Sequence, residues 1–153
     1  MFSKEEAKNL TTLFWTSFGK YMKKHTVQFG KGKKWVNYKT GVKAVYFRMR
    51  ADKRTSSISI DIQHQDEGIR ELYYAQFEEL KRVFTDLAGE WTWEKRIYNE
   101  YGHPISKIYV EIDGVNIFNK DTWQTSFQFF EKYIVPLDEF WESFNEVIKQ
   151  LED

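Results

Sequence analysis

Apolar residues recur along the C-terminal fifth of the chain at Trp123, Phe127, Phe130, Ile134, Leu137, Trp141, Phe144, Ile148 and Leu151. Steps of four and three that keep phase are the signature of one helical stripe. Glu131, Asp138, Glu139, Glu142 and Glu146 fall between them and give the helix an acidic back. Pro136 lies inside this pattern. It lacks an N–H and its ring crowds the carbonyl one turn before, so the expectation is one bent helix or two nearly collinear ones over a curved surface.

The same reasoning assigns the rest of the chain. Ser3 and Glu6 form a capping box that starts a helix, carried to about Lys24 by Leu10, Leu13, Phe14, Phe18, Tyr21 and Met22, with Trp15 at its rim. Alternation then predicts three strands, Lys34 to Lys39, Ala44 to Arg50 and Ser56 to Gln63, joined by short turns as an antiparallel meander. Val45, Phe47 and Met49 face the core, and Tyr46, Arg48 and Arg50 face away. Likewise Ile58, Ile60 and Ile62 go inward, and Ser57, Ser59, Asp61 and Gln63 outward. Asp66 caps a second helix carrying Ile69, Tyr73, Phe77, Leu80, Phe84 and Leu87, which Gly89 stops. Strands over Trp91 to Tyr98 and Ser106 to Asp113 follow, the latter with Ile108, Val110 and Ile112 inward and Lys107, Tyr109 and Glu111 outward, and Asn119 or Asp121 caps the last helix. The prediction is a single α+β domain over residues 1–153 in two layers. Its order is α-βββ-α-ββ-α, with a mostly antiparallel sheet and the helices on one face.

Composition adds that 18% of residues are aromatic and none is cysteine. The first excludes a shortage of core material; the second excludes disulfide, thiolate-metal and cysteine-nucleophile chemistry and fits a reducing cytoplasm. No apolar run is long enough to span a bilayer, so the expectation is a cytoplasmic protein without a membrane partner.

Net charge is zero, yet charge is unevenly placed. Twelve basic residues and one acid lie between Lys20 and Arg54, and ten acids and three lysines between Glu111 and Asp153. Lysine and arginine interleaved with tryptophan and tyrosine suit a phosphate-binding surface with stacking platforms. Lys33, Lys34, Trp35, Tyr46, Arg48 and Arg50 are the candidate contacts for nucleic acid or an acidic protein. The blander account is a cross-strand ion network with Asp61 and Glu111, and docking of Glu139, Glu142 and Glu146 on the basic band within the molecule or across a dimer. Phe129, Phe140 and Val147 flank the helical stripe and are more apolar surface than one side of it can bury, which motivates a homodimer.

A hydrolytic alternative uses Asp61, Gln63 and Glu111 as a divergent nuclease site holding Mg²⁺. Asp61-Ile62-Gln63 has the spacing of a (D/E)-x-K motif with glutamine for lysine, but the preceding strand offers no acid to complete it. His25, His64 and His103 lack metal-ligand spacing and read as surface or loop residues; no metal or cofactor is otherwise implied. Gly30 to Lys33 reads as a flexible basic loop.

Phe14-Trp15, Lys34-Trp35, Arg96-Ile97-Tyr98, Ile108-Tyr109 and Trp123 together resemble the bacterial family catalogued as domain of unknown function 4268. That resemblance covers nearly the whole chain. It implies company with nuclease-like domains of the PD-(D/E)XK type in some members, and no catalytic residues to carry over.

Overall fold

The computed structural model describes residues 2–27 and 35–152. Helix α1, Lys4–Tyr21, begins at the capping box: Ser3 Oγ accepts the Glu6 N–H and Glu6 returns the bond to the Ser3 N–H. A short helix α2 follows over Lys23–Val27. Strands β1 (Val45–Ala51) and β2 (Thr55–Ile62) lead to α3 (Glu67–Glu79) and α4 (Lys81–Ala88). Then come β3 (Thr92–Tyr98), β4 (Pro104–Asp113) and α5 (Trp123–Lys149). Among the described residues four strands form one antiparallel sheet in the order β1-β2-β4-β3.

The helices lie against the isoleucine face. Ile58, Ile60, Ile62 and Ile108 are fully buried, and the Ser56 and Ser126 hydroxyls, 2.9 Å apart, tie β2 to α5 beneath the sheet. At the other half of α5, Trp141 meets Phe47 of β1 edge-on and stacks against Phe77 of α3. Helix α1 packs on the first half of α5, where Phe14 touches Trp123 and Phe127 and Phe18 touches Phe130.

Helix α5 runs unbroken through Pro136. The tertiary contacts on both sides of the proline outweigh the one missing backbone bond, of order 1 kcal/mol. Its buried arc is also wider than the stripe. Phe129 and Phe140 are covered within the chain, Phe140 by Phe77 and Phe84, and Val147 is half-buried, so the two rings themselves supply no motive for a dimer.

Three expectations are corrected. Residues 35–39 of the first expected strand are turn and coil, not strand. Asn37 takes a left-handed φ of 60°, and the neighbouring rings are anchored elsewhere. Trp35 is in the core, Tyr38 packs on Phe47, and Trp141 Nε1 donates to the Thr40 carbonyl. The helix expected from Asp66 to Gly89 keeps both ends, with Asp66 accepting the Ile69 N–H and Gly89 at a φ of 86°, but it divides at Leu80. Phe77 and Phe84, on either side of the break, both reach Phe140, at 6.5 and 5.1 Å. Leu13, Ile69 and Leu87, counted on apolar faces, are exposed.

Candidate nucleic-acid interface

Pairing register places the polar residues of three strands in rows on the face away from the helices. Tyr46, Asp61 and Lys107 form one row, Arg48, Ser59 and Tyr109 the next, and Arg50, Ser57 and Glu111 the third. On β2 the side chains are short, and on its neighbours they are long. The long ones close over the middle: Asp61, outward by alternation, is 0% exposed. Its Oδ2 accepts from Arg50 Nη2 at 3.1 Å and pairs with Arg48 Nε at 3.5 Å, while Arg50 Nη1 donates to Ser59 at 3.0 Å. Asp61 Oδ1 is buried without a partner. Arg50 also approaches Glu100 at 3.8 Å.

Two cation–aromatic pairs flank this centre. The Arg48 guanidinium lies 4.6 Å from the Tyr46 ring centroid, and Lys107 Nζ lies 4.7 Å from that of Tyr109. Tyr46 is 40% exposed, as is the Arg48 side chain, and that of Arg50 is 33% exposed. Beside them a cleft of about 610 Å³ is lined by Trp15, Asn37, Tyr38, Tyr46, Arg48 and Arg50.

The sequence-derived candidates therefore separate. Tyr46, Arg48 and Arg50 share one surface. Trp35 is 5% exposed and its ring faces the core near His25, so it offers no stacking face. Lys33 and Lys34 lie outside the described residues, as does the expected loop from Gly30 to Lys33. Lys107 and Tyr109, read from the sequence as outward but not counted among the candidate contacts, join the surface, because the register sets them beside Asp61 and Ser59.

The nuclease constellation is not assembled. Asp61 lies opposite Lys107, and Glu111 is four residues further along β4, about 13 Å at strand rise. Two carboxylates so separated cannot share a magnesium ion that binds oxygens at about 2 Å. Gln63 lies past the end of β2, its N–H donating to the Ala44 carbonyl. Among the described residues no three His, Asp or Glu side chains converge as a metal site.

The acidic back of α5 contacts the basic segment within the chain. Glu131 accepts from Tyr21 at 2.6 Å and contacts His25 at 2.7 Å and Lys24 at 2.9 Å. His25 is thus part of an ion cluster instead of a bare surface residue. Asp138 accepts from Tyr38, and Glu152 accepts the Lys43 N–H at 2.9 Å. Burial and the Asp138 bond push the Tyr38 phenol far above its ordinary range, with Glu142 adding to the effect. Glu139 and Glu146 are exposed.

Burial alone would raise the Glu131 carboxyl, but hydrogen bonds from Tyr21, His25 and Lys24 outweigh it and hold it down at about 2. The unfolded chain therefore takes up a proton here at higher pH than the folded one. Stability from this group is complete above the usual 4.5 and is lost as pH falls toward 2. Acid denaturation of Glu131→Gln, measured beside the wild type, should show a shallower loss over that window. At neutral pH the variant should be about 1 kcal/mol less stable.

A small α+β domain with helices on one face of its sheet and a tyrosine–arginine surface on the other is the class these features define. Residues 10–149 match the family described as Domain of unknown function (DUF4268), and the chain belongs to it. No curated protein and no solved structure matches. Among the described residues no helix is long and apolar enough to cross a membrane.

Proposed function

We propose that the chain is a non-enzymatic binding module whose outer sheet face contacts single-stranded nucleic acid. The observation that carries this reading is the Tyr46–Arg48 stacked pair beside Arg50 at the mouth of an open cleft. A guanidinium carries five N–H donors, and Asp61 and Ser59 occupy only some of them. The buried carboxylate offsets part of the charge of both arginines, and their remaining donors are left to receive phosphate oxygens. Tyr46 supplies the ring on which a base stacks, with Lys107 and Tyr109 extending the surface toward β4.

Phosphate contacts release counterions, so binding should weaken steeply as salt rises. Titration of a labelled single-stranded oligonucleotide at low and moderate salt tests this. Micromolar binding at low salt is expected, with Tyr46→Ala weakening it roughly tenfold, within the range for loss of one stacked base. Absence of binding at micromolar protein in low salt, or a Tyr46→Ala protein that binds as well as the wild type, would end the proposal.

A further inference from the structure

The end of β2, the turn between β3 and β4 and the start of α3 enclose a second cavity of about 360 Å³, whose lining includes Gln63, His64, Arg70, Asn99, His103 and Ile105. Arg70 is 2% exposed. Its Nη1 donates to the His64 carbonyl at 2.9 Å, and its Nε is buried with no partner. The acids nearest in sequence are engaged elsewhere: Asp66 Oδ1 caps α3 at the Ile69 N–H, Glu67 faces Arg96 at 3.8 Å, and Glu71 faces Lys95 at 4.0 Å. Among the described residues Arg70 has no carboxylate counterion. Buried guanidinium groups are ordinarily paired, because desolvating a charge without a partner is costly.

Two other polar groups of the cavity, His64 and Asn99, have acceptors occupied and donors spare. His64 Nδ1 accepts the Asp66 N–H at 3.0 Å, which puts the ring proton on Nε2. Asn99 Oδ1 accepts the N–H groups of Tyr101 and His103, both at 3.0 Å, leaving the two amide protons on Nδ2. Gln63 and His103 add further donors.

We propose that this cavity binds a tetrahedral oxyanion, the phosphate group of a small ligand, with Arg70 as its counterion and His64 and Asn99 as hydrogen-bond donors. An anion there supplies the negative charge that the protein withholds from Arg70 and meets donors from separate elements, the pattern that favours phosphate at arginine sites. The inference is independent of the sheet-face reading, which uses other residues.

The test is thermal melting, with the imidazole NMR signals of His64 and His103 followed in parallel. Inorganic phosphate and a nucleoside 5′-monophosphate are titrated separately against chloride at matched ionic strength. Either ligand should raise the melting temperature saturably and move both imidazole signals. Because Arg70→Gln removes a buried group and so mixes loss of binding with loss of stability, Asn99→Asp is the companion variant. It keeps the oxygen that organises the turn and replaces the spare donors by a negative charge. Phosphate affinity should drop at least about tenfold in it, the worth of a charge-assisted bond. Its melting temperature without phosphate should be no lower than the wild type's, since the new carboxylate shares the cavity with Arg70. Indifference of the wild type to both ligands, or an undiminished response in Asn99→Asp, would overturn the proposal.

Discussion

Phe140→Ala should lower unfolding stability by about 4 kcal/mol, as truncation of a fully buried aromatic ring does when its surroundings cannot collapse. Collapse is blocked here by geometry. Phe140 is 0% exposed and meets Phe77 of α3, Phe84 of α4 and Phe144 of its own helix. Phe77 and Phe84 are themselves fixed by Trp141, Trp91 and Trp93, so neither can move into the space. Urea denaturation monitored by circular dichroism checks the value. A loss below about 1 kcal/mol, the ordinary figure for a surface change, would mean that α3 and α4 do not converge on this ring.

Asp61→Asn should cost about 2 kcal/mol, less than the breaking of a fully buried ion pair because both arginines are partly exposed and can rehydrate. The amide keeps the shape of the carboxylate and one oxygen toward Arg50, so the loss reports the charge and not a cavity. The same substitution changes the surface. With the carboxylate gone, Arg48 and Arg50 lose their shared internal counterion, and the sheet face gains one unit of positive charge. Differential scanning calorimetry of the variant measures the first effect, and a melting temperature equal to the wild type's would contradict the ion network as a source of stability.

Much of the architecture was legible in the chain because it rests on local periodicity. The stripe from Trp123 to Leu151, the Ser3 to Glu6 capping box and the Asp66 cap all depend on residues within a turn or two of one another. The alternation in Val45 to Arg50 correctly assigned Tyr46, Arg48 and Arg50 to the outer face. What escaped depends on partners distant in sequence. Tyr38 and Trp35 have strand-like neighbours but are drawn into contacts with α5 and the core. Asp61 was rightly placed outward, yet its burial comes from the length of side chains on β1. The Leu80 break carries no proline or glycine to announce it. Arg70 reads as an ordinary polar position of α3, and only the fold brings Asn99 and His103 beside it.

The surface reading stands on Arg48 and Arg50 being the groups that meet phosphate, with Asp61 offsetting part of their charge. Side-by-side titration of one labelled single-stranded oligonucleotide into wild type and Asp61→Asn, at the same low salt, is the most direct measurement of that. The account predicts that Asp61→Asn binds several-fold more tightly in spite of its lower stability, because two guanidiniums are released on the contact surface. Equal affinity in the two proteins, or no detectable binding by either, would contradict it.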